Sequence, residues 1–420
     1  MTMTQWIKNL FLIVICILTI ICHNGKANDS DNILIQILQS NPKLFGSVLE
    51  NAENYKLQIL YTQIDRDKNN KPRFTSHSYR LNKSDYFYPA STVKLPAAIL
   101  ALEKLKNLNI PGLTKYTSLK IDSAYSNETS VSTDSTAENN LPSIANYIKK
   151  IFLVSDNDAF NRLYEFLGQQ YFNETLWKKG FKDVKIIRRL ETAMTPEENR
   201  ITNPFTFYND GKILYHQPPV QNVTVYKVKM KNVKQGRGYI RGDSLINQPI
   251  DFSYSNYISI ESLQGIIKAV IFPEALPGKQ TFNLTEDDYH FLYKYMSMYP
   301  RESDYPAYTD TSEYYDSYVK FFMFGNTREN IPDGIRIFSK SGEAYGYLID
   351  NAYIVDFNKK IEFLLTAVIQ VNENQIYNDD NYEYEEIGIP FLANLGKVIY
   401  RFEINRKRKF EPDLSKFRVN

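Results

Sequence analysis

Residues 88–96 read Tyr88-Pro89-Ala90-Ser91-Thr92-Val93-Lys94-Leu95-Pro96, and they open an apolar run that continues to Leu105. The periodicity over 91–105 predicts a helix, on which a spacing of three brings the Ser91 hydroxyl and the Lys94 amine onto one face. Pro96 is tolerable only if that helix begins near Ser91, because a proline interrupts any later turn. The hydroxyl then sits at a helix N-terminus, whose dipole favours developing negative charge. Taken alone, a serine three residues before a lysine also describes an ordinary helix start with a solvated lysine.

Two distant stretches change that reading. Ser155-Asp156-Asn157 lies in FLVSDNDAF, between helical patterns at 141–152 and 158–167, with Gly168 as a stop for the second. Lys340-Ser341-Gly342 lies in RIFSKSGEAYG, at the end of a strand-like run. It is followed by two β-rich segments, 348–357 and 361–371, separated by the hairpin signature Asn358-Lys359-Lys360.

Around these triplets the chain falls into a simple order. A short helix is expected from Asn32 to Ser40, ending before Pro42. An alternating strand begins at Tyr55, a polar turn covers 65–73, and a second strand is expected near 79–88. Residues 205–257 break the helical pattern with QPPV, NVTVYKVKMK and KQGRGYIRG, a strand-and-turn insertion. Helical spacing resumes at 259–271, a tyrosine-rich polar segment spans 296–318, and an amphipathic helix at 385–402 closes the fold. The architecture expected is α+β: one antiparallel sheet built from both chain ends (about 28–90 and 330–405) and flanked by helices, with an inserted, mostly helical subdomain (about 91–329).

Ser-x-x-Lys at a helix start, Ser-Asp-Asn in a helical loop and Lys-Ser-Gly on a strand, in that order, resemble the penicillin-recognising serine hydrolases. Within that family the chain is most similar to the class A β-lactamase branch, over most of residues 55–402. The resemblance implies an acyl-enzyme mechanism with Ser91 as nucleophile and Lys94 as its activating amine. It makes Ser155 a proton relay to the leaving nitrogen and Asn157 a hydrogen-bonding partner for the substrate amide. Lys340 would supply positive potential that keeps Lys94 neutral and attracts a substrate carboxylate, to which Ser341 would donate. After Gly342, the backbone N–H of Glu343 would join that of Ser91 in an oxyanion hole. The substrate implied is a β-lactam or a cell-wall peptide. A D-alanyl-D-alanine peptidase or other cell-wall peptide serine hydrolase, and a non-catalytic or slowly acylated envelope binding or sensor module, are the alternative functions.

The sequence departs from the class A pattern in three places. Aligned on Ala193, the position of the glutamate that activates the deacylating water holds Ile187, and Glu191 falls a turn later. Glu191 is the candidate for that base from a shifted position; otherwise it is a structural carboxylate paired with Arg188 or Arg200. Glu343 stands where a small or hydroxylated residue is usual and should repel an anionic substrate unless it points away. The insertion at 205–257 either edges the cleft or is a remote elaboration.

Composition narrows the partners. Lys and Arg number 50 against 48 Asp and Glu among 420 residues, a net +2 that argues against a nucleic-acid binder. At the N-terminus, Lys8, the apolar run Leu10–Ile21 and Gly25-Lys26-Ala27 have the layout of an export signal cleaved after Ala27. A retained anchor and lipidation at Cys22 are the alternatives, although Ile21 is a poor residue to precede a lipidated cysteine. Cys16 and Cys22 are the two cysteines, so a chain cleaved after Ala27 has neither disulfide nor thiolate. His23, His77, His216 and His290 show no metal-ligand spacing and none adjoins a candidate nucleophile. The expectation is therefore an exported monomer without cofactor or metal. The basic run Arg406–Lys409 reads as a solvated tail, and the tyrosine pairs near 314 and 382 as a compositional bias that could also bind glycan or peptide.

Overall fold

The computed structural model describes residues 32–125 and 129–418. The expected export signal, with Cys16 and Cys22, lies outside the described residues.

The centre is a six-stranded antiparallel sheet drawn from both ends of the chain. β1 (Gln58–Arg66) and β2 (Pro72–Tyr79) come from the N-terminal part; β3 (Ile335–Ser339), β4 (Gly342–Ala344), β5 (Tyr347–Asp356) and β6 (Ile361–Gln370) come from the C-terminal part. Their spatial order is β3-β5-β6-β1-β2, with β4 continuing the β3 edge against β5. β5 and β6 are buried at every one of their 10 residues, because both faces of the sheet are covered. The hairpin between them turns as expected: Asp356 accepts from the Asn358 and Lys359 backbone N–H groups, and Lys360 takes the left-handed conformation.

Alternation in β6 sends successive side chains into two cores. Phe363, Leu365, Ala367 and Ile369 pack with α1 (Ile33–Gln39), α2 (Pro42–Glu50) and the closing helix. Leu364 and Val368 face the larger core on the opposite side. That core is organised around α3 (Lys94–Leu108), whose residues Leu95 to Leu102 are all buried. A helix apolar on every side must be surrounded. α4 (Ile144–Val154) and α5 (Asn157–Leu167) pack directly on it, and α6 (Gln169–Lys178), α7 (Ile260–Ile271) and α8 (Glu286–Ser297) contribute to the same core, with α7 lying on the sheet. α9 (Ile389–Asn405) follows a π-helical turn at Tyr384–Gly388.

Three expectations need correction. The second strand is Pro72–Tyr79, not 79–88, and the turn shrinks to the residues after Arg66. Asp67 closes it by accepting from the N–H groups of Asn69 and Lys71. As the sheet's edge, β2 is half-exposed and carries few apolar residues, so its alternation is faint. The basic run at 406–409 is not a solvated tail. Arg406 pairs with Asp65 and Glu403, Arg408 also reaches Glu403, and the chain then runs on to bury Leu414 and Phe417. Finally, α2, α6 and α8 were not anticipated: α2 has only 9 residues, and α6 and α8, QQYFNETLWK and EDDYHFLYKYMS, interleave polar and aromatic residues.

The insertion contributes short strands at Phe205–Asn209, Lys212–Gln217, Gly238–Arg241 and Ser244–Ile246. It is not remote. Ile376–Tyr377 pairs in parallel with Gly238–Tyr239, and Gln235 Oε1 accepts from the hydroxyls of both Tyr347 and Tyr377. The insertion thereby braces the loop between β6 and α9.

Candidate active site

The chain enters α3 through one 3-10 turn, Ala90–Val93, so Ser91 precedes Lys94 by a tight turn and Pro96 falls within the first α turn. Lys94 Nζ lies 2.9 Å from Ser91 Oγ. The Ser-Asp-Asn triplet forms the joint between α4 and α5. Ser155 caps α4 in the left-handed conformation, and the Asp156 side chain caps α5 by accepting from Ala159 N–H. Both caps fix the joint so that Ser155 Oγ stands 3.2 Å from Lys94 Nζ, while the Ser155 carbonyl and Asn157 Oδ1 also accept from that amine.

Lys340 reaches the same hydroxyl from the sheet. Its Nζ donates to Ser155 Oγ at 2.9 Å and to the Ser341 carbonyl at 2.7 Å. One hydroxyl therefore bridges two amines brought from opposite parts of the fold. Both lysines are buried, which disfavours their charged forms. Burial lowers the Lys94 amine to about 7, although Asp156 and Glu191 pull it the other way. Lys340 is pushed well below the ordinary range by burial first and by the neighbouring Lys94 second.

Gly342 shows how closely β4 approaches the serine. A Cβ there would lie 2.8 Å from Ser91 N and 3.0 Å from Thr92 N, so only glycine lets the strand meet the start of the helix. The next residue, Glu343, stands beside Ser91 on the wall of a cleft of about 710 Å³. Asn157 and Glu191 share this wall. Glu191 has a left-handed backbone and an exposed side chain, and it forms no ion pair with Arg188 or Arg200 among the described residues. Arg188 instead donates to the carbonyls of Arg189 and Thr192. Ile187 is buried, with its N–H donated to Asn256, so no carboxylate occupies the position usual for the deacylating base.

One expected role does not fit the position found. The Ser341 hydroxyl is buried and donates to the Val319 carbonyl at 2.8 Å, because the segment preceding β3 folds over it. It is not on the cleft wall, and neither is Lys340.

Sequence reasoning missed several groups. Beneath Lys340 lie Lys320, which donates to the Met296 and Ile337 carbonyls, and Asp350, which accepts from the N–H groups of Phe321 and Phe322. Burial lowers Lys320 to about 8 and raises Asp350 to about 6. Tyr88, Tyr345, Tyr382 and Tyr384 line the cleft, the last two carried by the loop that the insertion braces. Tyr382 and Tyr384 form the pair near 382 that the sequence marks as able to bind glycan or peptide, whereas Tyr88 and Tyr345 have no such signal beyond tyrosine abundance. His77, His216 and His290 contact Gln63, Thr206 and Glu286, and none lines the cleft. Among the described residues, no cluster of three His, Cys, Asp or Glu side chains is placed to hold a metal ion, and no helix is long and apolar enough to cross a membrane.

A cleft-lining serine paired with a buried lysine at a helix start, facing a second lysine on an antiparallel sheet, has the layout of an active-site serine hydrolase. Residues 47–212, which contain Ser91, Lys94, Ser155 and Asn157, match the model of the beta-lactamase enzyme family, and this supports a β-lactamase or transpeptidase-like family for the chain. No curated protein matches the sequence. Solved structures with similarity include a beta-lactamase from Sphaerobacter thermophilus DSM 20745, at 12% identity, covering 87% of this chain and 99% of that one, with a TM-score of 0.46. PBP-A is 14% identical over 89% of this chain and 96% of its own, with a TM-score of 0.48. A class A beta-lactamase from Clostridium kluyveri DSM 555 is 16% identical over 88% and 98%, with a TM-score of 0.42. At these scores the fold reading rests on the sheet order and helix packing rather than on superposition.

Proposed function

We propose that the protein is an exported serine hydrolase that opens an amide of the β-lactam type through an acyl-enzyme on Ser91. The observation that carries this reading is the continuous chain Ser91 Oγ, Lys94 Nζ, Ser155 Oγ, Lys340 Nζ, with separations of 2.9, 3.2 and 2.9 Å. An amine lowered to about 7 is partly neutral at physiological pH and accepts the Ser91 proton as Oγ bonds to the substrate carbonyl carbon. The backbone N–H groups of Ser91 and Glu343 receive the developing oxyanion. The proton then passes through Ser155 Oγ to the leaving nitrogen, and the C–N bond breaks. Asn157 holds the acyl side of the substrate. Water attacks the ester carbon, Glu191 on the cleft wall takes its proton, the bond from that carbon to Ser91 Oγ breaks, and the proton returns to Ser91 Oγ as the acid leaves.

The buried Ile187 favours a second reading, in which deacylation is slow and the protein is a cell-wall peptidase or an acylated sensor. Incubation with a chromogenic cephalosporin, followed by intact mass measurement, separates the two. Rapid turnover that Ser91→Ala abolishes supports the hydrolase; a long-lived adduct on Ser91 supports the second reading. No reaction with any β-lactam overturns the substrate class. In a turning-over enzyme, Glu191→Gln should accumulate the acyl-enzyme, and unchanged turnover would remove Glu191 from its role.

A further inference from the structure

The cleft wall carries a feature that the serine chemistry does not use. Glu343 directly follows Lys340-Ser341-Gly342 and projects from β4 beside Ser91. Two more carboxylates, Glu191 and Asp380, line the same cleft, against the single guanidinium of Arg188. The hydroxyl expected to greet a substrate carboxylate, Ser341 Oγ, is already donated to Val319. Aromatic rings complete the wall: Tyr88 meets Tyr345 edge-on at 5.0 Å, and Tyr382 meets Tyr384 at 5.3 Å. The faces of tyrosine rings attract cations, as carboxylates do.

Resting on the acyl-enzyme reading above, we propose that Glu343 selects acyl donors bearing an ammonium group, rather than a carboxylate, on the side of the scissile bond that faces β4. The contact has three parts: the Glu343 carboxylate meets the ammonium, the tyrosine rings pack around its methylenes, and neither Ser341 Oγ, already donated to Val319, nor Lys340, absent from the cleft wall, rewards an anion there. Of the groups that face Glu343, Glu385 is the charged one and has the same sign, and the rest are uncharged phenols. Glu385 lies nearby from the turn before α9, Tyr384 from the same turn, and Tyr315 and Tyr318 from the segment preceding β3. Partial desolvation, and then Glu385, push the Glu343 carboxyl up to about 7, the direction expected where a carboxylate lacks a resident cation. An incoming ammonium supplies that cation.

The test uses one penam scaffold in three forms: ring carboxylate free, converted to the methylamide, and converted to the 2-aminoethylamide. Second-order acylation rates of Ser91 are measured by intact mass at pH 8 in the wild-type protein and in Glu343→Gln, with Ser91→Ala as blank. The expected order is ammonium, then neutral, then carboxylate, with steps of about tenfold for charges meeting in a half-open cleft. Glu343→Gln should shrink the ammonium-to-neutral ratio by about tenfold. In the wild type that ratio should also rise between pH 6 and 8, as Glu343 ionises, and stay flat in the variant; titration of Lys94 is common to both probes and cancels. Adducts that form without the charge order, or an order unaltered by Glu343→Gln, overturn this proposal alone. Absence of any adduct on Ser91 overturns the acyl-enzyme reading and this proposal with it.

Discussion

Lys94→Met probes the burial that prepares the nucleophile. The lysine is fully buried, and its amine falls from the ordinary 10.5 to about 7. Unfolding restores the ordinary value, so between those limits the unfolded chain binds more protons than the folded one, and stability rises with pH across that window. The cost of burying the amine is thus fully present below about pH 7 and gone above about 10.5. At about 1.4 kcal/mol per pH unit it amounts to roughly 4 kcal/mol at pH 7 and to little more than 1 kcal/mol at pH 9.5. Methionine removes the titrating group while leaving the acceptors on Ser91, Ser155 and Asn157 short of a donor, a penalty of about 1–3 kcal/mol that is independent of pH. The two effects separate when unfolding free energies are compared at two pH values. From pH 7 to 9.5 the wild type should gain on Lys94→Met by about 2–3 kcal/mol. Lys340 adds to that movement, because its own depression relaxes once the neighbouring amine is gone. Urea unfolding followed by fluorescence at both pH values measures the difference. Parallel pH dependence of the two proteins would refute the burial cost, and with it the reasoning that Lys94 is neutral enough to accept the Ser91 proton.

Other perturbations bear on the supports of the site. Gly342→Ala places a methyl 2.8 Å from Ser91 N, and the strand or the helix start must shift. Acylation should fall at least a hundredfold while thermal denaturation shows a loss of about 1–3 kcal/mol; an active Gly342→Ala would place the strand farther from Ser91. Gln235→Leu strips the Tyr347 and Tyr377 hydroxyls of their shared acceptor and loosens the loop that carries Tyr382 and Tyr384. It should cost about 1–3 kcal/mol in denaturation and raise KM for a cephalosporin more than it lowers kcat. Glu362→Gln breaks a two-pronged contact with Arg66, at 2.5 and 2.7 Å between side chains at most 3% exposed, and should destabilise by about 3–5 kcal/mol in a chemical melt.

The parts of the fold that could be read along the chain were those where one face or one turn decides the conformation. The β-rich segments expected at 348–357 and 361–371, found as the fully buried strands 347–356 and 361–370, the hairpin between them and the helix stop at Gly168 are local statements. β2 escaped because an edge strand needs few apolar residues, and the docking of 406–417 escaped because Arg406 and Arg408 pair only with groups that the fold brings to them.

The candidate site divides along the same line. Ser91 and Lys94 are three residues apart, so one turn of helix sets their relation, and the sequence by itself determined that pairing. Ser155 Oγ and Lys340 Nζ are 185 residues apart, and only the packing of the helical block on the sheet brings them to 2.9 Å. The lowered Lys94 amine is likewise a product of the tertiary structure, since desolvation comes from neighbours that no local pattern names. The same holds for Glu343. Its presence after Lys-Ser-Gly was legible, but its place on a wall of tyrosines followed from an insertion that braces a loop more than a hundred residues away.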